Sequence, residues 1–335
     1  MGSPANPTES PAAGNAPPEV PPAQRVNRAP VLGDYFFSTL TGIAAAAVVG
    51  LSLLLVAVLV YSSRSTLSLF GPSFLWTTVW RPAPANVFGI VPAAEDTLLT
   101  SALALLIGIP LSLGSAIFLT QHAPTWLRAP IGQVIELLAA IPSIVFGFWG
   151  LIVLVPFERY RVEPALQGTL GWTGLFNGTP IGIDILTASL VLSIMTVPTI
   201  TAISRDAIAA VPRSQKEAAL SLGATDWEVT RTVVLPYSQG GIAAGIALGL
   251  GRALGETMAV LLVIGNRFAI PSSLFSQGET IASLIANDFT EASGPLELSA
   301  LIEAGLVLLL ITLAINLAAR AYLARSQVHE GGFEG

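Results

Sequence analysis

The stretch KEAALSLGATDWEVTRTVVLP, residues 216–236, decides how this chain is interpreted. Gly223 ends a first predicted helix, and either Thr225 or Asp226 can cap a second one. Small and apolar side chains recur at helical spacing along the stretch, at Ala218, Ala219, Leu222 and Trp227. Two short helices with an exposed face of this kind suit docking by another protein. The alternative is a helix pair that lies on a membrane surface and needs no partner.

The composition outside this stretch is that of a membrane protein. Of 335 residues, 53% are hydrophobic and only 11% are charged, and the mean hydropathy is +0.71. Soluble domains carry about 25% charged residues. The sequence has no cysteine and only two histidines, His122 and His329, so it offers no disulfide and no material for a histidine-based metal site.

Six segments are long and apolar enough to cross a bilayer, which needs about 20 such residues. They predict an all-α integral membrane protein, with Pro110, Pro142 and Pro198 as kinks inside helices. The predicted spans are approximately 35–61, 97–120, 129–156, 185–203, 232–265 and 298–319.

Charge distribution predicts that both termini are cytoplasmic. With the N-terminus inside, nine of the 15 Lys and Arg residues lie on the cytoplasmic side and five outside. The outside loops instead carry acidic residues, at Glu158, Glu163, Asp184, Glu279, Asp288, Glu291 and Glu297. Residues 1–30 are rich in proline, which predicts a disordered cytoplasmic tail. Residues 31–325 are predicted to form a transmembrane domain with a cytoplasmic loop at 205–232. Residues 326–335 are predicted to form a second cytoplasmic tail.

The stretch at 216–236 resembles the EAA loop of ABC importer permeases. The residues that carry the likeness are Glu217-Ala218-Ala219, then Gly223, Val233 and Leu235-Pro236, with Val233 where the pattern usually has isoleucine. Further stretches are similar to the PstC type of permease in phosphate ABC importers: FGIVPAAEDTLLTSALALLIGIP (88–110), ELLAAIPSIVFGFWGL (136–151), GRALGETMAVLLVIGN (251–266) and IANDFTEA (285–292).

This resemblance implies the type I ABC importer permease fold and a place in the inner membrane of a bacterium. The expected partners are a PstA-like second permease, a PstB-like ATPase dimer, a PstS-like extracytoplasmic phosphate-binding protein and membrane lipid, with no nucleic acid. Glu217, Ala218, Ala219 and Gly223 are then the residues that dock on the ATPase. The sequence has no phosphate-binding loop of the G-x-x-x-x-G-K-[S/T] type, so ATP and magnesium are expected in the ATPase, and no cofactor or metal in this chain.

Two opposite charges interrupt the fifth predicted span, at Arg252 and Glu256. Four residues apart on one helix, they are expected to share a face and lie within reach of each other. From Pro236 to Arg252 is about 24 Å of helix, which places the pair deep in the bilayer. A charge there costs about 2.5–3.5 kcal/mol, and pairing rarely makes it a net stabiliser.

The pair is therefore interpreted as part of a substrate path, in which the arginine binds phosphate oxygens and Glu256 balances its charge in the empty site. The alternative is a structural ion pair that holds two permease subunits together. Gly241, Gly245 and Gly249, spaced by four on the same predicted helix, are expected to let another helix approach closely, such as one from a partner permease.

Alternative functions differ in the residues that they require. The same fold can carry another oxyanion, such as sulfate or molybdate. An intramembrane serine protease needs a histidine at the depth of its nucleophile, and neither histidine is placed there. A sensor or scaffold that signals through residues 1–30 is compatible with transport.

Overall fold

Helices make up most of the computed structural model, which describes Gly2, residues 32–292 and residues 294–330. The proposed N-terminal tail and the end of the C-terminal tail therefore lie outside the described residues, apart from Gly2. The chain divides into two units at Leu54 and Leu55. In the first unit, the described side chains before Leu55 are exposed and largely apolar, as expected for a helix that faces lipid.

The helices are numbered in chain order, and several continue directly into π-helical turns. Their bounds are α1 Leu32–Ser62, α2 Arg64–Phe70, α3 Val91–Ile117, α4 Thr125–Ala140, α5 Ser143–Trp149, α6 Val155–Phe157, α7 Glu163–Leu170, α8 Ile185–Ala209, α9 Arg213–Ser221, α10 Asp226–Val229, α11 Leu235–Leu254, α12 Met258–Val263, α13 Ile281–Asp288 and α14 Pro295–Glu330. The π-helical turns cover Phe118–His122, Gly150–Leu154, Glu158–Val162 and Thr230–Val234.

Six of the helical segments in the described ranges are long and apolar enough to cross a membrane, as the sequence predicts. They are Tyr35–Ser62, Val91–His122, Ser143–Thr173, Ile185–Ala209, Asp226–Leu254 and Pro295–Ala321. Pro110 and Pro198 lie inside helices α3 and α8 as expected.

The predicted third span was wrong in its bounds. Helix α4 ends at Ala140, Ile141 and Pro142 have extended backbones, and the span runs from Ser143 to Thr173. A proline disfavours helical backbone in the residue before it, so Pro142 separates two helices instead of kinking one. The span compensates by extending further along the chain than the sequence suggested.

The predicted fifth span was also too long, because α11 ends at Leu254. Gly255 and Glu256 donate their backbone N–H groups in a loosened turn, to Gly251 and Ala253 oxygens at 3.3 and 3.4 Å. The helix resumes only at Met258. Glycine has low helix propensity, so the run with Gly251 and Gly255 is where leaving the helix costs least.

Helix α8 lies at the centre of the second unit, packed along α3 and α11. Its span is 67% buried, against a third or less for the others. The face of α11 with Gly241, Gly245 and Gly249 lies on α8 at Ala207, Ile203 and Ile200. In this structure these glycines face a helix of the same chain, rather than one from a second subunit.

Several acidic residues that the sequence places in loops are in fact buried. Glu158, Glu163, Asp184, Glu279 and Glu297 are each at most 5% exposed. Asp184 caps α8, where its Oδ1 accepts from the Thr187 N–H at 2.9 Å, and burial raises the pKa of Asp184 to about 8. Burial also raises the pKa of Glu279 to about 8, with Asp288 and Asp96 adding to the effect. The surroundings of these two carboxyl groups therefore disfavour their charged forms.

The α8–α11 contact predicts that alanine substitutions at Gly241 and Gly249 destabilise the protein to different degrees. At Gly241 an added Cβ meets the Cβ of Ala207, which is fixed to its backbone, while at Gly249 it meets the flexible end of Ile200 at 2.7 Å. We expect Gly241→Ala to lower the free energy of unfolding by about 1–3 kcal/mol and Gly249→Ala by less.

The matched control is Gly114→Ala in α3, where the added Cβ meets nothing within 4 Å. Thermal unfolding of the detergent-solubilised protein measures all three. If Gly241→Ala and Gly114→Ala unfold at the same temperature, α11 does not pack on α8 in this way.

Candidate functional site

Arg252 lies in the last turn of α11 and lines a cavity between α8, α11 and α14. The cavity has a volume of about 870 Å³. The Nε atom of Arg252 is buried and has no hydrogen-bond partner among the described residues. Because the residue lines the cavity, its guanidinium is placed to bind an anion that enters the cavity, and the buried Nε shows that the protein itself leaves part of its donor capacity unused.

The wall that α11 contributes is formed mostly by small residues on a second face of the helix, with Leu248 and Arg252 as its two large side chains. Gly240, Ala244, Ala247 and Gly251 line the cavity at spacings of four, three and four residues, beside the glycine face that packs on α8. Their short side chains leave the space open along the helix. From Gly240 to Arg252 this wall runs for about 18 Å.

The other polar groups in the cavity come from α8 and α14: Thr199, Asn316 and Arg320. Arg320, in α14, lines the same cavity as Arg252. No acidic residue is among the described residues that line it, so the charged groups on its walls, Arg252 and Arg320, are both positive. Sequence analysis missed these three residues because they are distant in the chain. Asn316, the one amide side chain in the otherwise largely apolar run LVLLLITLAIN, residues 306–316, was the available signal.

Glu256 does not lie where the sequence predicts it relative to Arg252. Because α11 ends at Leu254, the two residues are not on one continuous helix. The described residues include no ion pair between them, and Glu256 Oε1 instead accepts from the Ala259 N–H at 3.3 Å. The expectation that Glu256 lies on the same helical face and balances the arginine is corrected: in this state Glu256 caps α12.

Residues 216–236 contain the end of the short helix α9 and the start of a second helix at Asp226. The prediction of a second short helix was wrong, because α10 continues through the π-helical turn Thr230–Val234 into α11. Gly223, between α9 and α10, has a φ of +90°, a left-handed conformation that favours glycine. Thr225 is the capping residue of α10: its Oγ1 accepts from the Glu228 N–H, and Glu228 Oε2 accepts from the Thr225 N–H at 2.7 Å. This capping box fixes the angle between the two helices.

The predicted docking residues divide between the surface and the interior. Glu217 and Ala218 are exposed, while Ala219 packs against an apolar cluster that includes Ile208 and Val229. Leu222 is 89% exposed and Trp227 60% exposed. Large apolar side chains that are exposed on a short helical segment are typical of a surface that a partner protein covers.

Known proteins resemble the chain along most of its length. The family described as binding-protein-dependent transport system inner membrane component matches residues 108–327, and the chain belongs to this family. With six apolar helices, it is a multi-pass protein of the bacterial plasma membrane. It is a transporter component rather than an enzyme.

Relatives of high sequence identity show which kind of permease within this family the chain resembles. The chain is 51% identical over 277 residues to the phosphate transport system permease protein PstC of Pasteurella multocida, which covers 82% of this chain and 86% of that protein. It is 49% identical to the PstC protein of Mesorhizobium japonicum, over 80% of this chain and 83% of the relative. It is 46% identical to PstC 2 of Mycobacterium tuberculosis, over 70% of this chain and 74% of the relative.

Solved structures support the fold. The chain resembles a subunit of a bacterial alginate ABC transporter in complex with an alginate pentasaccharide-bound periplasmic protein, with a TM-score of 0.54 and 17% identity over 85% of this chain and 95% of that one. At this identity the likeness concerns the fold alone, which is that of a type I ABC importer permease.

The position of Glu256 generates a prediction about stability. Glutamine retains an oxygen acceptor for the Ala259 N–H, so we expect Glu256→Gln to unfold near the temperature of the parent protein. Glu256→Ala loses the acceptor, and we expect its free energy of unfolding to fall by about 1 kcal/mol. The measurement is thermal unfolding in detergent. Equal losses in both variants would mean that the negative charge of Glu256, and not its capping contact, stabilises the protein.

Proposed function

We propose that the chain is the transmembrane permease subunit of an ATP-driven phosphate importer and forms half of its translocation pathway. The observation that carries the proposal is the Arg252 guanidinium, which lines an 870 Å³ cavity with its Nε unpartnered. The names of the relatives favour phosphate over sulfate or molybdate as the cargo.

Arginine suits phosphate because its planar donors match two oxygens at once. Arg252 forms no ion pair among the described residues, and Glu256 accepts from the Ala259 N–H instead. An anion in the cavity can therefore bind the guanidinium without first breaking an ion pair. Asn316 and Thr199 line the same cavity and offer neutral hydrogen-bonding groups. In this arrangement the substrate itself neutralises a half-buried charge in a membrane-spanning segment, where an uncompensated charge is costly.

The cytoplasmic loop at residues 205–232, called the coupling loop because it carries the predicted ATPase-docking residues, is continuous in the chain with the proposed substrate site. Helix α10 passes through the π-helical turn Thr230–Val234 into α11, and α11 ends beside Arg252. Twenty residues of α11 cover about 30 Å. A displacement of the helix pair α9–α10 by a partner therefore acts on α11 directly, and a rigid helix transmits it to the arginine.

The proposal includes the partners and the orientation. The α9–α10 pair docks on the cytoplasmic ATPase dimer, which binds ATP and magnesium, and both termini of this chain are cytoplasmic. A PstA-like permease supplies the second half of the pathway, and a PstS-like protein delivers phosphate from outside. The family description, which names dependence on a binding protein, supports the last of these partners.

We expect Arg252→Gln to abolish phosphate uptake while the complex still assembles. Loss of a charged partner to a bound anion costs about 3–5 kcal/mol when it leaves that anion buried and unpaired, equivalent to at least a hundredfold. The measurement is uptake of labelled phosphate into proteoliposomes, with sulfate as a competitor.

The matched controls are Arg252→Lys and Arg161→Gln. Lysine retains charge but not the planar fork, so partial uptake is expected. Arg161 is exposed and far along the chain from the cavity, so its loss is expected to leave uptake unchanged. The proposal fails if Arg252→Gln imports phosphate normally, and the structural alternative holds if that variant does not assemble.

We expect Gly223→Asp to release or uncouple the ATPase, because a side chain at a φ of +90° strains the connection between α9 and α10. Gly174→Asp is the matched control: Gly174 also has a positive φ, +79°, and open space around its Cβ position, but it lies in the loop before α8. Co-purification of the ATPase and phosphate-stimulated ATP hydrolysis are the measurements. Equal coupling in the two variants would contradict the docking assignment.

A further inference from the structure

A second cavity lies behind the α9–α10 pair, on the side of α9 that faces the helices of the membrane domain. It has a volume of about 350 Å³ and is separate from the cavity at Arg252. Its walls come from the π-helical end of α3, from α4, from the end of α8 and from α9. Four cationic side chains converge on it: Arg128, Arg205, Arg213 and Lys216.

Among the residues that the structure describes, acids neutralise only one of the four cations. Arg205 Nη2 lies 3.2 Å from Glu136 Oε1, and its Nε lies 3.1 Å from Asp206 Oδ1. Its third nitrogen passes over Gly132, where an added Cβ would come within 2.9 Å of it. Arg205 is therefore fixed in place as a wall of the cavity, with its charge offset.

The other three cations retain unused donors. Arg128 donates its Nε to the Ala123 oxygen at 2.8 Å, which fixes the side chain and leaves its terminal nitrogens available. Arg213 and Lys216 form no hydrogen bond or ion pair within the described part of the chain. Thr120 and Gln121 add neutral polar groups to the same wall.

This convergence has an energetic cost in the empty cavity. Burial lowers the pKa of Lys216, and the positive charge of Arg213 lowers it further, so the charged form of Lys216 is disfavoured by its surroundings. A general excess of positive charge on one side of the membrane explains the sign of these residues, but it does not require them to meet around one cavity. A bound anion would remove the repulsion.

We propose that this second cavity is a binding site for a phosphate group, placed between α9 and the membrane domain and distinct from the transport path. The four cations and the polar groups of Thr120 and Gln121 surround a volume that suits a small oxyanion or a headgroup. The planar guanidinium of arginine can donate two parallel hydrogen bonds to phosphate oxygens, and the ammonium group of lysine adds a compact positive charge. The bound group would tie α9 to α3, α4 and α8, and so set how firmly the coupling helix is held.

Two sources supply the same chemistry: free inorganic phosphate, which is the proposed cargo, and the phosphodiester headgroup of an anionic lipid. The experiment uses the assembled importer in nanodiscs, with Arg252→Gln present throughout so that the transport path does not bind the probe. In phosphatidylcholine nanodiscs, inorganic phosphate is titrated by calorimetry. In nanodiscs that contain phosphatidylglycerol, native mass spectrometry reports the anionic lipid retained by the protein.

Two charge-removing variants come from different elements, Lys216→Gln in α9 and Arg128→Gln in α4. The matched controls are Lys216→Arg, which keeps the charge, and Arg231→Gln, which removes an exposed charge from the same loop without touching the cavity. We expect each charge-removing variant to weaken occupancy by about tenfold and both controls to retain it. Weakening in the phosphate arm identifies the free ion, and weakening in the lipid arm identifies the headgroup.

Three results would overturn the proposal. The first is that neither phosphate nor phosphatidylglycerol occupies the parent protein. The second is that Arg231→Gln weakens occupancy as much as Lys216→Gln, which would show only general attraction to positive charge. The third is that the two charge-removing variants lose the ATPase with phosphate and lipid occupancy unchanged, which would assign these cations to the protein partner. Because the site is tested without Arg252, each outcome is independent of the proposed transport role.

Discussion

The close contact between α11 and α8 is the constraint on which the rest of the structure depends. Three glycines on one face of α11 let it lie against Ala207, Ile203 and Ile200 of α8. With that face committed inside the chain, the neighbouring face of small residues remains open and lines the cavity that ends at Arg252. One helix thus serves as core, as cavity wall and as the continuation of the coupling loop.

Arg252 sets the second constraint, since a charge in a membrane-spanning segment must have a compensating partner or a use. Because the helix ends at Leu254, Glu256 is drawn to the Ala259 N–H and the arginine is left with an unused donor. A permanent ion pair would have to break before substrate could bind. At Arg252 the substrate anion takes the place of that missing partner, so no ion pair has to break before the anion binds. Such a site suits transient binding during transport.

The sequence predicted the features that depend on local pattern. Six apolar runs correspond to six spans, and of the two residues that could cap the second helix of the loop, Thr225 is the one that does. Features that depend on distant residues were not predicted. The break at Pro142 and the break at Gly255 both occur inside apolar runs, where hydropathy does not distinguish one long helix from two. The burial of Asp184 and Glu279 and the convergence of Arg128, Arg205 and Lys216 depend on packing between elements that are far apart in the chain.

The central claim is that Arg252 faces its substrate without a partner in the protein. A structure of the assembled importer with phosphate in the membrane path tests it most directly. The account predicts density for an oxyanion within hydrogen-bonding distance of the Arg252 guanidinium, with Glu256 still accepting from the Ala259 N–H. An Arg252 paired with Glu256 or with a residue of the second permease, and an anion bound elsewhere in the path, would contradict it.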